Sequence, residues 1–145
     1  MKAMNRFFLI AVAVSLLSAG CANTEDDPQL AKRIFNGLCR GNQGVENLIA
    51  WQTLTAVGTD VGQTYSSFRT ENDRKSYRKA FFYNYSNSFK SAGGSASQFF
   101  NWRIKSQDAD KTIVAADTIG RSKVALFTIS HKEKQRKLTA ISWEE

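Results

Sequence analysis

Hydrophobic residues recur at helical spacing in two long segments of the chain. The first follows Asp26-Asp27-Pro28, which is typical of a helix start, and ends near Gly41, a typical helix terminator. The second, residues 71–92, predicts the longest helix. A shorter helix is predicted over residues 48–54, and residues 59–68, rich in Gly, Ser and Thr, are expected to form a connection. The apolar stripes are Leu30, Ala31, Ile34, Phe35 and Leu38 in the first helix and Tyr77, Phe81, Tyr85 and Phe89 in the second.

From residue 98 onward the hydrophobic period changes from 3.6 residues to two, which is typical of β-strands. Phe100, Trp102 and Ile104 alternate with polar residues in the first of these runs. Short polar gaps between the runs predict antiparallel neighbours, so we expect an α+β fold whose N-terminal helices pack on a curved four-stranded antiparallel meander. The four runs are residues 98–105, 112–119, 124–131 and 138–143.

The first 21 residues have the layout of a secretory signal. Lys2 and Arg6 precede an apolar run over residues 7–17, which is short for a permanent membrane helix, and small residues lead into Cys21. This junction resembles the lipobox of bacterial lipoproteins. The resemblance implies that residues 1–20 are removed as a signal peptide and that Cys21 becomes a lipidated N-terminus, carrying diacylglycerol and a further acyl chain such as palmitate. The alternative is a plainly cleaved signal beside an incidental cysteine.

Such an anchor holds a protein on a membrane, because each buried methylene contributes about 0.8 kcal/mol. The residue after the cysteine is Ala22. An aspartate at this position would resemble an inner-membrane retention signal. We therefore expect a lipid-anchored protein of the bacterial cell envelope, on the outer membrane and facing the periplasm. Residues 21–27 would be the lipidated N-terminus and tether, and residues 28–145 a single α+β domain.

Removal of residues 1–20 leaves 18 basic and 13 acidic residues, a net charge of about +5. Cys39 is then the one cysteine not used by lipid, so no intrachain disulfide is available. It lies at the end of an apolar helical pattern, which favours a buried thiol over a reactive or intermolecular one. A high aromatic content and a single proline indicate a packed domain of ordinary size.

Three short segments carry a second resemblance, which covers residues 28–144. They are Gly-Leu-Cys-Arg-Gly-Asn at 37–42, Ile-Ala-Trp-Gln-Thr-Leu at 49–54 and Phe-Phe-Asn-Trp-Arg-Ile at 99–104. With N-terminal helices and a final meander, the chain resembles the nuclear-transport-factor-two-like (cystatin-like) superfold. It is similar to periplasmic members, which include phospholipid-carrying toluene-tolerance proteins and uncharacterised lipoproteins. The resemblance implies a cone whose interior holds a small molecule, but this superfold supports both enzymes and binders.

Few residues offer catalytic or metal chemistry. His131 is the one histidine and precedes a basic turn, where a solvated side chain is more usual than a catalytic base. Asp117 interrupts an apolar alternation; buried, it would have a raised pKa and serve as a base, whereas at a sheet end it would pair with a basic side chain. Spacing for a metal site, a phosphate loop or a dinucleotide fingerprint is absent from the sequence, so no metal and no cofactor are expected.

Basic residues cluster on the long helix at Arg74, Lys75, Arg78 and Lys79 and again over residues 132–137. In the periplasm the available anions are phospholipid headgroups, lipopolysaccharide phosphates and acidic proteins, so these residues are candidates for an anionic surface. A solvated helix face is the alternative. Nucleic acid is not expected as a partner, because the aromatic residues of this helix lie on its apolar stripe.

Three functions fit these observations. The first is a non-catalytic binder of lipid or another apolar or amphipathic ligand in a cone-shaped pocket. The second is a protein-interaction module of an envelope assembly or a homodimer, using an exposed sheet face that includes Ile141 and Trp143. The third is an enzyme with Asp117 as its base. The pocket candidates are Trp51, Tyr77, Phe81, Tyr85, Trp102 and Phe127.

Overall fold

The computed structural model describes residues 24–144. The predicted signal peptide and Cys21 lie outside this range. The chain forms three α-helices, six strands and three short 3₁₀ turns within it. The helices are α1 (Asp27–Arg40), α2 (Val61–Ser67) and α3 (Glu71–Ser91); the strands are β1 (Thr55–Ala56), β2 (Thr59–Asp60), β3 (Phe99–Gln107), β4 (Lys111–Thr118), β5 (Val124–Ser130) and β6 (Lys137–Glu144); the 3₁₀ turns are Gln43–Leu48, Ala96–Gln98 and Lys132–Lys134.

Both ends of α1 are where the sequence predicts them. The Asp26 carboxylate accepts a hydrogen bond from the Gln29 backbone N–H at 2.9 Å, and Pro28 occupies the first turn. Gly41 ends the helix in the left-handed conformation, with φ of 68°. The predicted long helix is confirmed as α3, which begins after the capping side chain of Thr70.

The segment between α1 and α3 differs from its prediction. Residues 48–54 do not form a helix: a 3₁₀ turn ends at Leu48, and the chain then enters β1. Part of the expected connection is instead the helix α2, whose first turn is capped by the Asp60 carboxylate at 2.8 Å from the Gln63 N–H. Glycine and serine have low helix propensity, but the Asp60 cap and the burial of Val61 and Tyr65 stabilise this helix.

The α+β class is confirmed, and the prediction of a four-stranded antiparallel meander is wrong. The sheet has six strands in the order β2-β1-β6-β5-β4-β3. The strands β3 to β6 do pair antiparallel in sequence order, but β1 adds to β6 in parallel and β2 closes a short hairpin on β1. Two-residue strands carry no period-2 signal, so the sequence pattern cannot reveal them.

A β-bulge near the start of β3 also overturns the simple alternation. Asn101 has φ of 52°, and the pairing register with β4 shifts between Phe100 and Arg103. Phe99 and Trp102 therefore pack against the core, whereas Phe100 is 47% exposed. Ile104 pairs with the buried Val114 but is 48% exposed, because β3 is the edge strand of the sheet.

The core lies between α1 and one face of the sheet. The stripe of α1 contacts β3, β4 and β5, and the Phe35 ring lies 4.5 Å from Phe99 and 5.1 Å from Phe127, centroid to centroid. The helix α3 rests mainly on α1 and on the 3₁₀ turn after it, through the buried Phe82 and Ser86. Because these contacts hold α3 against α1, the adjacent face of α3, which carries Phe81 and Tyr85, does not pack tightly on the sheet, and a space remains between them.

Candidate functional site

The space between α3 and the sheet is an apolar cleft of about 720 Å³. This volume lies within the range of about 300–1,000 Å³ that is common for small-molecule sites. One wall is α3, and the floor is Phe35 of α1 with the inward residues of β4, β5 and β6. Exposed residues of the β1–β2 and β4–β5 turns line the cleft at one end of the sheet, with β6 and β5 between the two turns, and we call this opening the mouth.

Aromatic rings form most of the apolar lining. Tyr77, Phe81, Tyr85 and Phe89 are half-buried and face the cleft from α3, while Phe127 lies fully buried in the floor. Four of the six residues named from the sequence, Tyr77, Phe81, Tyr85 and Phe127, thus line one cavity. A helical stripe usually packs into the core, but this one is left half-exposed to the cleft.

A few polar groups interrupt this lining. Burial, with a smaller contribution from the nearby Cys39 group, raises the pKa of Tyr85, so its hydroxyl stays protonated and able to donate. Within residues 24–144 this hydroxyl has no hydrogen-bond partner. Asn84, Gln98 and Arg121 also line the cleft. An apolar wall with a small number of polar groups suits an amphipathic ligand.

Two exposed aliphatic side chains line the cleft from the turns at its mouth. Val57, in the β1–β2 turn, is 54% exposed, and Ile119, at the end of β4, is 62% exposed. Val57 has φ of 50° and Gly58 has φ of 80°, a combination usually met with Asn-Gly. A β-branched residue in this conformation costs of order 1–3 kcal/mol. We call Val57, Ile119 and Arg121 the cleft rim.

The other two pocket candidates lie elsewhere. Trp51 is 8% exposed, and its indole N–H donates to the Glu46 carbonyl at 2.9 Å. It faces a second, more polar groove of about 620 Å³ that includes Lys111, Lys132 and Lys137. Trp102 packs on Phe127 at 4.9 Å between ring centroids and belongs to the core rather than to the cleft.

The four basic residues of α3 do not form one exposed patch. The Arg78 guanidinium donates to the Tyr65 hydroxyl at 2.8 Å and to Glu71 Oε1 at 2.9 Å, and its side chain is only 14% exposed. Arg74 is half-buried, with its guanidinium carbon 5.8 Å from the centroid of the Tyr65 ring. Lys75 and Lys79 are exposed. Two of the four charges therefore stabilise the packing of α2 on α3.

Asp117 has no features of a buried base. It lies on the sheet face away from the helices, where its carboxylate accepts hydrogen bonds from Asn101 at 2.7 Å and Arg103 at 2.8 Å. These partners, Asn101 first and Arg103 second, lower the pKa of Asp117 rather than raising it. The enzyme alternative that depends on this residue is not supported by the geometry.

His131 is half-buried and pairs with a carboxylate instead of lying free in solvent. Its Nε2 lies 2.7 Å from Oδ2 of Asp27, whose other oxygen accepts from Arg136 at 3.1 Å. Asp27 is 6% exposed, so the group ties the first turn of α1 to the β5–β6 connection. No group of three or more His, Cys, Asp or Glu residues that could hold a metal occurs in the described part of the chain.

The exposed apolar patch expected at Ile141 and Trp143 is not on the outer sheet face. Ile141 is 3% exposed and Trp143 packs against the core, and both line the cleft from the inside. Cys39 is buried with a free thiol, as its position in the apolar pattern predicted. None of the helices in residues 24–144 has the length and apolar content needed to cross a bilayer.

Sequence reasoning missed the cleft rim and the polar groups of the cleft. Val57 and Arg121 lie in turns, where hydrophobic periodicity gives no signal, and Ile119 is the last residue of a predicted strand but lies just beyond the end of β4. The one available clue is Val57-Gly58, because a valine stands where a tight hairpin turn favours asparagine or aspartate. Gln98 and Asn84 look like ordinary surface residues until the fold brings α3 over the sheet.

Comparison with known proteins identifies no relative. No protein-family model matches the chain, and no curated protein and no solved structure gives a significant match. The resemblances to lipoproteins and to the nuclear-transport-factor-two-like superfold therefore stay predictions.

Proposed function

We propose that this protein is a lipid-anchored envelope protein that binds an apolar or amphipathic ligand, such as a lipid, in the cleft between α3 and the sheet. The observation that carries the proposal is the aromatic-lined cavity of about 720 Å³. A monomeric domain of this size gains stability by filling such space with side chains, so an unfilled apolar cleft favours a binding role. The predicted Cys21 anchor supplies the location, since a lipid ligand is available at a membrane.

The chemistry of the lining favours a binder over an enzyme. The polar groups are tyrosine, serine and threonine hydroxyls, two amides and one arginine, which orient a ligand, and the lining contains no carboxylate or histidine to act as a base near neutral pH. Asp117 and the Asp27–His131 pair lie outside the cleft, and each is already engaged by basic partners. We therefore assign no catalytic residue.

Occlusion of the cleft tests the binding half of this proposal. Ser88 lines the cleft from α3 and is exposed, so Ser88→Trp places an indole in the cavity without disturbing the core. Asn87 is the adjacent exposed residue outside the lining, and Asn87→Trp is the matched control. In the Cys21→Ser chain starting at residue 21, we expect saturable binding of a fluorescent fatty-acid probe that Ser88→Trp weakens at least tenfold and Asn87→Trp leaves unchanged.

Native mass spectrometry of the same chain provides a second readout. A co-purifying apolar molecule that Ser88→Trp removes would support the cleft as its site. Equal probe affinity in the two tryptophan variants would contradict the proposal. The anchor is tested separately: Cys21→Ser in the full chain should release the protein from membranes, and unchanged membrane association would exclude lipidation at Cys21.

A protein-interaction role is the alternative, and one observation favours it. The nine-residue strand β3 is an outer edge of the sheet and exposes Phe100 and Ile104. An open edge with exposed apolar side chains is able to pair with a second strand. If this edge forms a homodimer, sedimentation of the Cys21→Ser chain will show dimers that Phe100→Lys dissociates; a monomer at high protein concentration would exclude it.

A further inference from the structure

We propose that the cleft rim, formed by Val57, Ile119 and Arg121, docks on the anionic surface of the bilayer that holds Cys21, so that a lipid chain passes into the cleft without crossing water. This inference rests on the proposed function and adds the place where the ligand enters. It concerns a surface that the binding argument does not need.

The first support is the chemistry of the rim. Val57 and Ile119 are 54% and 62% exposed in two different turns at one end of the sheet, and both line the cleft. Single exposed aliphatic residues are common on protein surfaces, but these two are continuous with the apolar lining of the cleft. Insertion of both tips into a bilayer interface would join the cleft to the acyl region.

The second support is the backbone conformation of Val57. The turn requires a positive φ, which asparagine or glycine adopts readily and valine does not. The Val57 N–H donates to the Ile141 carbonyl at 2.8 Å, so the turn is held by β6 whatever side chain it carries. Valine is thus unfavourable for folding at this position, and a role for its exposed side chain accounts for its presence.

Charge complementarity favours an anionic surface. The Arg121 guanidinium forms no ion pair with any residue in the described range. No acidic residue lines the cleft in the described range, and two carboxylates of the neighbouring strands form ion pairs, Asp117 with Arg103 and Glu144 with Lys105. A basic side chain near an anionic leaflet strengthens binding about fivefold.

The position of Cys21 in the chain allows the lipid anchor and the cleft rim to contact the same bilayer. Near the start of the described range, Arg33 contacts the Glu25 side chain and Arg136 contacts its backbone carbonyl. Four residue steps from Cys21 to Glu25 span at most about 14 Å. From Thr112, beside the start of α1, to Thr118 at the cleft is about 20 Å along β4. The tether is shorter than this distance, so Cys21 and the rim both reach one bilayer surface only when β4 is tilted well away from the membrane normal.

Vesicle binding tests the docking surface without the anchor. The experiment uses the Cys21→Ser chain starting at residue 21, because every buried residue of the described range lies between 27 and 141. On vesicles of phosphatidylglycerol and phosphatidylcholine, we expect Val57→Asn and Ile119→Asn each to weaken partitioning about fivefold or more. Arg121→Gln should weaken it about fivefold on these vesicles and not on phosphatidylcholine alone.

Two controls separate docking from folding. Tyr83 is 68% exposed on α3 but does not line the cleft, so Tyr83→Gln should leave partitioning unchanged. Val57→Asn should raise the melting temperature while it weakens vesicle binding, because asparagine suits the positive φ. If Val57 had only a structural role, Val57→Asn would change the melting temperature and vesicle binding in the same direction. Rim variants that bind vesicles like the parent, or a Tyr83→Gln loss of equal size, would overturn the proposal.

The lipidated chain tests which bilayer is contacted. A bimane label on Ser122→Cys, next to Arg121, should be quenched by headgroup-depth spin-labelled lipid in the vesicles that carry the protein. Quenching only by added vesicles would overturn docking on the anchoring bilayer. The two proposals fail separately: probe binding without vesicle binding refutes the docking surface alone, and vesicle binding without probe uptake refutes the ligand site alone.

Discussion

Replacement of Asp27 by asparagine should destabilise the protein and remove part of its acid sensitivity. The Asp27 carboxylate is 6% exposed and contacts His131 Nε2 at 2.7 Å and Arg136 Nη1 at 3.1 Å. The asparagine side chain keeps the shape of aspartate but carries no charge, so two charge-assisted hydrogen bonds become neutral ones. With a loss of about 1 kcal/mol for each, we expect the free energy of unfolding at pH 7 to fall by about 2 kcal/mol.

The pH dependence follows from the pKa of Asp27. Burial by itself raises that pKa, but hydrogen bonds from Thr112 and His131, with the charge of His131 and the contact with Arg136, outweigh burial and hold it below the ordinary value of 3.8. The folded state therefore binds this proton less readily than the unfolded state. Its stabilisation is complete above about pH 4 and is lost as the pH falls through the folded-state pKa.

Urea unfolding of parent and variant at neutral pH, near pH 4 and at about pH 2.5 measures this effect. A loss of about 2 kcal/mol corresponds to a midpoint about 1 M lower in urea. The difference between the two proteins should shrink toward zero at the most acidic pH. Asp26→Asn is the matched control: Asp26 is exposed and caps α1, and asparagine caps equally well, so this variant should match the parent. A constant difference between parent and Asp27→Asn at all three pH values would refute the reasoning.

Three further outcomes follow from the packing. Phe82→Ala should lower the free energy of unfolding by about 3–5 kcal/mol in urea titrations, because the ring is completely buried between α3 and α1. Gly62→Ala should destabilise by at least about 2 kcal/mol by the same measure, since its Cβ would stand 2.5 Å from the Gln52 carbonyl oxygen; an unchanged midpoint would contradict the close approach. Burial raises the pKa of the Cys39 thiol to about 12, so Ellman's reagent at about pH 8 should react at least about a thousandfold more slowly than with free cysteine until urea unfolds the chain.

The sequence predicts those parts of the fold that depend on local signals. Asp26, Pro28 and Gly41 place both ends of α1 within one or two residues because caps act within one turn. The last three strands begin and end within one residue of the predicted runs, since β4 and β5 alternate buried and less buried positions on a half-covered sheet.

The elements that were missed depend on long-range contacts. The strand β1 exists because Thr55 and Ala56 pair with β6, at the far end of the chain, and two residues cannot show a period. The bulge at Asn101 reverses the expected side of Phe100 relative to Trp102, because a one-residue insertion changes which residues face the core. Tertiary pairing, rather than propensity, decides both cases.

The sequence predicts most of the aromatic residues that line the cleft, but it does not predict that they enclose an open space. The packing of α3 explains the difference. The sequence shows a broad aromatic stripe and gives no measure of how much of it is buried. In the structure, Phe82 and Ser86 suffice to dock the helix: Phe82 is fully buried, and the Ser86 hydroxyl donates to the Cys39 carbonyl at 2.9 Å.

The neighbouring face of α3, with Phe81 and Tyr85, is thereby free to line the cleft. Docking and lining thus use different faces of one helix. Substitution at Phe82 should act on stability, whereas Tyr85→Phe, which keeps the ring and removes the unpartnered hydroxyl, should change affinity for a polar-headed ligand and leave the urea midpoint in place. If Tyr85→Phe lowers stability as much as substitution of Phe82, the aromatic stripe belongs to the core, and the cleft is a packing defect and not a binding site.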